Sequence, residues 1–220
     1  IIYVSHRLEE VVALADRCTV LRDGRVVSMN RRGGFLTGDL VQAMTGRADA
    51  NVLAHSGIPG ATVLEDADER PDAIRLRANE VVGLAGLLGR GTSRGLRRLV
   101  GLDAAGPAVR VKGQNRRLAG PAEAIRLGIG MVSGERRLGL VMNLSVRENI
   151  LLPSLDRLTR AGSLDRAAGD RVVSRLMELL DIRPRNASLP AAALSGGNQQ
   201  KVILAKWLAR EVGVLLLDEP

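Results

Sequence analysis

The sequence predicts an α/β fold with a mixed or parallel sheet and an inserted helical segment, and three observations predict it. Apolar β-rich runs alternate with stretches of helical periodicity from about Ala73 onward, the pattern of strand–helix–strand units. A glycine-rich loop, Gly86-x-x-x-x-Gly91-x-Ser93, sits between an apolar run and a helical one. The last 27 residues, "LSGGNQQKVILAKWLAREVGVLLLDEP", read as a glycine turn, a helix and a buried strand that ends in two carboxylates.

Taken in order, Ile1–Ser5 reads as a short strand, with Ser5 as cap of the helix "RLEEVVALAD". Leu8, Val11, Val12 and Ala15 recur at i, i+3, i+4 and i+7 and give that helix one apolar face. "CTVLRDGRVVSM" is a hairpin about Asp23-Gly24, and "LTGDLVQAMTG" a short helix closed by Gly46. Residues 48–71 are polar, small and broken by Gly and Pro, and read as a linker or domain edge. The expected organisation is therefore the end of one domain at 1–47, this linker, and a second domain at 72–220. In the second domain "AIRLRANE" turns into an apolar strand, Val81–Ala85. The glycine loop, the helix "SRGLRRLVGL" and the strand "AVRVKGQ" follow. "GPAEAIRLGIGMVS" is a helix broken by Gly128 that runs into a strand. "LSVRENILLPSL" and "DRAAGDRVVSRLMELLDI" are mainly helical.

Composition narrows the function. The net charge is +8, but the arginines are scattered and lysine occurs only at Lys112, Lys201 and Lys206, so no basic block marks a nucleic-acid surface. Aromatics make up 1% of the chain, too few for platforms on which single strands stack. No nucleic acid is expected as a partner. Cys18 is alone, which excludes a disulfide framework, and is expected to be a small buried hydrophobe. No apolar run approaches the roughly 18 residues of a membrane span. The first residue is not Met and the chain closes on a strand pattern, so an internal piece of a longer protein is expected.

The chemistry is carried by two loops and one strand end. Ser195, Gly196 and Gly197 form a turn whose glycines allow close approach of backbone amides to an anion, and a helix of about Gln199–Arg210 directs its positive end to the same place. Asp218 and Glu219 at the end of an apolar strand, Val212–Leu217, suit Mg²⁺ and a polarised water. Each feature alone is common, and their spacing is what makes them informative.

"LSGGNQQKV…VLLLDEP" resembles the signature motif and Walker B segment of ABC transporter ATPases. It is most similar to the second ATPase domain of the double-domain proteins that energise simple-sugar importers of the ribose, xylose and galactose type. "IIYVSHRLEEVVALADRCTVLRDGRVV" is similar to the switch-histidine segment that closes their first ATPase domain. "GIGMVSGERRLGLVMNLSVRENILL" is similar to the stretch that replaces the glutamine loop in their second domain. The resemblance implies the P-loop NTPase fold, ATP and Mg²⁺ as cofactors, and composite ATP sites between paired domains. It implies His6 as a γ-phosphate contact and Glu219 as the water-polarising base. Ser195, Gly196, Gly197, Asn198 and Gln199 would cover the phosphate held by the facing domain. It makes Gly86, Gly89, Gly91, Thr92 and Ser93 the phosphate loop, with Asp218 and Ser93 as Mg²⁺ ligands. Thr92 stands where the family has a cation, most often lysine or in this group arginine, so weak binding and slow or absent hydrolysis are expected at that loop. Gly134 stands about where the family has Gln or Glu. The partners implied are two transmembrane permease subunits and, indirectly, an extracytoplasmic sugar-binding protein, with the ATPase peripheral on the cytoplasmic face of the cell membrane. Alternatives are a nucleoside importer of related build, or a soluble ABC protein acting on ribosomes or DNA. The piece alone is expected to be inactive.

Overall fold

The computed structural model describes the chain apart from residues 6, 23, 32, 35, 46–56, 68–72, 87–90, 103–107, 161 and 220. It divides into two compact units, residues 1–56 and 57–220.

In the first unit α1 (Leu8–Leu14) precedes an antiparallel hairpin, β1 (Arg17–Arg22) with β2 (Arg25–Arg31), and then α2 (Thr37–Thr45). Arg22 pairs with Arg25, which leaves the two-residue loop that "DG" predicts, with Gly24 at φ 74°. Val20 and Leu40 form the small core, and Leu8, Val11, Val12 and Ala15, the expected apolar face of α1, pack against them. Cys18 packs there too but is only half-buried. Two expectations fail. Ile1–Ser5 is not a strand: Ile1, Ile2 and Val4 are exposed, and a strand exists only through a neighbour to pair with, which the described residues do not provide. Ser5 is not the cap residue; Arg7 holds that position, and its backbone N–H donates to Ser5 Oγ at 3.0 Å.

The second unit has two cores. A four-stranded antiparallel sheet in the order β4-β3-β5-β6 is built from β3 (Thr62–Asp66), β4 (Arg75–Arg77), β5 (Ala108–Val111) and β6 (Gln114–Arg117). Between β4 and β5 lies α3 (Thr92–Leu99), and after β6 comes α4 (Pro121–Arg126). Pro121 starts α4 and Gly128, at φ 80°, ends it, as the sequence signals. The next strand, β7 (Ile129–Val132), pairs in parallel with β10 (Val214–Leu217). Leu64, Leu99, Val109, Leu118, Ile129 and Leu216 fill this first core.

The inserted helical part comprises α5 (Arg136–Gly139), α6 (Val146–Leu151), α7 (Leu155–Leu158), a minimal hairpin of β8 (Thr159–Arg160) and β9 (Ser163–Leu164), α8 (Arg166–Leu179) and α9 (Gly196–Arg210). Its core is aliphatic around one indole: Val146, Ile150, Val173, Ile182, Ile203 and Trp207. A capping box starts α6, with Glu148 N–H donating to Ser145 Oγ and Ser145 N–H to Glu148 Oε2.

Three readings shift. The expected linker contains β3, which pairs with both β4 and β5; its five residues, between a Gly- and Pro-broken stretch and an acidic one, are too short a run to stand out before pairing is known. Val81–Ala85 is exposed and irregular, its apolar run having no paired neighbour among the described residues. The last strand starts at Val214 rather than Val212.

Candidate functional site

The end of β10 and the start of α3 meet, although 125 residues separate them. Ser93, the second residue of α3, donates its hydroxyl to Asp218 Oδ1 at 2.7 Å. Asp218 is fixed by the β-ladder, its N–H donating to Val132 O at 3.0 Å. Gly91 precedes the helix with φ 94°, a left-handed backbone that suits glycine, and Thr92 is its first residue. Gly86 is exposed in the irregular segment ahead of the loop. His6 and Gly89 lie outside the described residues.

Gly134 lies against the same strand end. A Cβ there would stand 3.2 Å from Glu219 Cβ and 3.3 Å from Asp218 O. Glycine at 134 therefore permits the loop after β7 to lie directly on the Asp218–Glu219 peptide. Glu219 has φ 44°, a backbone region that costs a non-glycine residue about 1 kcal/mol.

Ser93 and Asp218 supply two hard oxygens within hydrogen-bond distance. That set fits a Mg²⁺ ion completed by phosphate oxygens and water, the usual way this ion is held. No cluster of three or more His, Cys, Asp or Glu side chains exists among the described residues.

The second feature is the N-terminus of α9. Ser195 takes the cap position with extended backbone, φ −62° and ψ 156°, yet its side chain makes no capping bond. Its Oγ instead accepts from Asn198 Nδ2 at 3.0 Å. The amides of Gly196, Gly197 and Asn198, the first three of the helix, consequently donate to no group among the described residues. The helix begins at Gly196 rather than Gln199, so the two glycines lie in its first turn. A Cβ at Gly197 would meet nothing within 4 Å, and the turn is open to a ligand.

Asn198 and Gln199 use their side chains inward. Asn198 Oδ1 accepts from Arg183 N at 2.7 Å, and Gln199 Nε2 donates to Ala191 O and Leu194 O at 3.1 and 3.2 Å. Lys201 Nζ donates to Asp181 O at 2.6 Å. A pocket of about 320 Å³ lies beside this turn, lined by Val132, Gly197, Gln200, Lys201 and Leu204.

Sequence reasoning did not single out Asn149. It is buried, and its carboxamide accepts from Val141 N and donates to Val141 O, Leu144 O and Ser145 O, which clamps the loop between α5 and α6. The capping box beside it was the only readable signal. Lys206 was missed as well. Its Nζ donates to Gly139 O at 2.6 Å, and burial pushes its pKa down to about 8.

The ABC transporter family model matches residues 71–220, which hold α3, β10, the turn before α9 and the loop after β7. The chain belongs to the ABC transporter family. This ABC chain is 42% identical over its whole length to the ribose import ATP-binding protein RbsA of Chromobacterium violaceum. It is 41% identical to RbsA 2 of Rubrobacter xylanophilus and 37% to RbsA 1 of Mesorhizobium japonicum. It spans 44–46% of the length of these relatives. The fold is that of solved ATP-binding cassettes. One is a dimeric cassette in a post-hydrolysis state with ADP and phosphate, at TM-score 0.52 and 21% identity over 71% of each chain. Another is a nucleotide-free cassette at TM-score 0.52 and 17% identity, over 71% of this chain and 68% of that one. The ABC ATPase fold expected from the sequence is the fold observed.

Proposed function

We propose that the chain is part of an ATP-hydrolysing subunit that energises ABC-type import of a monosaccharide across the cytoplasmic membrane. The observation that carries this reading is the first turn of α9, where three amides without partners among the described residues, the open Gly197 and the Ser195 hydroxyl lie together at the positive end of a 15-residue helix. That arrangement recognises a phosphate group. The ribose-import names of the relatives, 37–42% identical over the whole chain, support a monosaccharide as cargo.

In this proposal residues 1–47 close a first ATPase domain and 72–220 belong to a second. His6 would contact a γ-phosphate bound by the first, and the Ser195–Gln199 turn would cover a γ-phosphate held by a phosphate loop supplied from outside residues 1–220. Gly86, Gly89, Gly91, Thr92, Ser93, Asp218 and Glu219 form the second domain's own phosphate site. There Ser93 and Asp218 would hold Mg²⁺, which when bound neutralises developing charge on the phosphates. Glu219 accepts a proton from the attacking water at the end of β10, beside Gly134. Thr92 supplies no cation, so this loop holds nucleotide weakly and turns it over slowly. The partners are two permease subunits and, through them, an extracytoplasmic sugar-binding protein. The described helices include none long and apolar enough to cross a membrane, and we place the chain peripherally on the cytoplasmic face.

The test compares ATP turnover and nucleotide occupancy of the full-length protein with its permease, as wild type, His6→Ala, Ser195→Arg and Glu219→Gln. Loss of turnover in His6→Ala and Ser195→Arg, with Glu219→Gln nearly unaffected, is expected. Equal damage from Glu219→Gln would show that the Thr92 loop is catalytic. Unchanged turnover in Ser195→Arg would end the reading.

A further inference from the structure

We propose that Asn198 is a positioning residue that fixes the direction of the Ser195 hydroxyl, keeping its proton free to point out toward an anion. This rests on the nucleotide reading of the α9 turn and deepens it. The argument is one of donors and acceptors. The backbone N–H of Arg183 can only donate, and it donates to Asn198 at 2.7 Å, so the Asn198 oxygen must face it. The Asn198 NH₂ must then face the other way, where it meets Ser195 Oγ at 3.0 Å. An NH₂ has no lone pair to offer, so Ser195 Oγ can only accept there, and its own proton is directed elsewhere. No other described group receives that proton, and Ser195 is exposed at the cap of the helix whose first three amides have no partner among the described residues.

The same bond explains why the turn is left unfilled. A capping serine ordinarily accepts from the second or third amide of its helix. Here Asn198 occupies one of the two Ser195 lone pairs and the side chain makes no capping bond, so the helix keeps all three amides for a ligand while the hydroxyl joins them as a fourth donor. Asn198 itself is anchored to the segment 181–183. Arg183 Nε donates to Asp181 Oδ1 at 2.9 Å and Lys201 Nζ to Asp181 O at 2.6 Å. The charged groups about the turn are Asp181, Arg183, Arg185 and Lys201. The hydrogen bond from Arg183 holds the Asp181 carboxyl below its usual range, with Arg185 and Lys201 adding to this.

Asn198→Asp tests the assignment with almost no change of shape. A carboxylate only accepts, so it would keep the Arg183 N–H and draw the Ser195 proton inward. Binding of a non-hydrolysable Mg-ATP analogue to the full-length protein is measured for wild type, N198D, N198A, S195A and the S195A/N198D pair. N198D is expected to weaken binding about tenfold at about pH 7.5, and more than N198A, which leaves the hydroxyl free to turn either way. In the S195A background N198D should change affinity less than about twofold. A residue that merely held the fold would make N198A the worse variant, and that result would overturn the proposal. So would an equal N198D loss with and without the Ser195 hydroxyl, since the carboxylate would then act on the ligand directly. If S195A itself leaves affinity unchanged, the nucleotide reading of the turn is what fails, and this proposal fails with it.

Discussion

Gly130→Ala places a methyl group where the packing of α9 on β7 leaves no space. The added Cβ would stand 2.8 Å from both Cδ2 and Cε3 of Trp207 and 3.3 Å from its Cγ. Those atoms belong to a fused, buried ring, and Gly130 is held from the other side by its pairing with Leu215 on β10. Neither neighbour can yield without moving a whole element. Overpacking of this kind costs about 1–3 kcal/mol, against which alanine in a strand recovers roughly 0.5–1 kcal/mol of glycine's backbone entropy. A net loss of about 1–2 kcal/mol is expected, or a fall in Tm of about 2–8 °C for a unit of this size. Gly139→Ala is the control. Its Cβ would come even closer, 2.7 Å, to Ile203, but the nearest atom is Cδ1, the free end of a side chain that can rotate. Gly139 also closes a helix, where alanine gains. Thermal unfolding of the full-length protein and both variants decides the matter. If Gly139→Ala proves as harmful as Gly130→Ala, the argument that a rigid indole rather than a short distance sets the cost is wrong.

Lys206 should make stability pH-dependent on the alkaline side. Its folded pKa of about 8 lies below the ordinary 10.5, so the unfolded chain holds more protons between these values. The penalty for burying the ammonium is complete below about pH 8 and disappears as pH rises to about 10.5, a gain of about 3 kcal/mol. Lys206→Met should abolish that rise in denaturant midpoints taken at about pH 7 and pH 10; a rise that persists would refute the assignment. Ser93→Ala removes one of the two proposed Mg²⁺ oxygens, so it should weaken Mg²⁺-nucleotide binding at that loop about tenfold and binding in EDTA hardly at all. Equal loss in both conditions would mean that Ser93 acts on the phosphate. Asn149→Ala strands a buried N–H and carbonyls in the α5–α6 loop and should cost about 2–4 kcal/mol. Hydrogen exchange at residues 141–145 should rise first, and global unfolding without such local exposure would argue against the clamp.

Much of this was legible in the sequence because periodicity and turn chemistry are local. The α1 face, the Asp23-Gly24 hairpin, Pro121 and Gly128 at the ends of α4, and the helix leading into β10 all follow from residues within a few positions of one another. Pairing is not local. Val81–Ala85 has the composition of a strand and Thr62–Asp66 barely does, yet only the second finds neighbours among the described residues. The same limit applies at the candidate site. The residue types of Ser93, Asp218 and Ser195 pointed to phosphate and metal, but the 2.7 Å contact of Ser93 with Asp218 spans 125 positions. The inward use of Asn198 and Gln199 depends on carbonyls and amides at 183, 191 and 194, and a backbone partner leaves no mark in the side-chain pattern.

Those inward bonds bear on how the two phosphate-facing features can influence one another. The turn before α9 is rigid because Asn198, Gln199 and Lys201 tie it to backbone at 181–194. Further along the same helix Ile203, Lys206 and Trp207 engage Gly139 and Gly130, on either side of the loop that carries Gly134. Gly134 in turn lies on the peptide of Asp218 and Glu219. A ligand that draws the Ser195 turn toward itself therefore acts on a helix with little internal slack. The first soft element in its path is the segment 133–138, between the end of β7 and the Lys206 anchor. A displacement of α9 reaches the Asp218–Glu219 carboxylates through that segment as well as through β10, into which α9 leads. Absence of a side chain at 134 leaves it free of the contacts a longer residue would make there. Replacing Gly134 by Gln should therefore couple the two features more tightly. It should also crowd Glu219, because its Cβ alone already falls 3.2 Å from that residue.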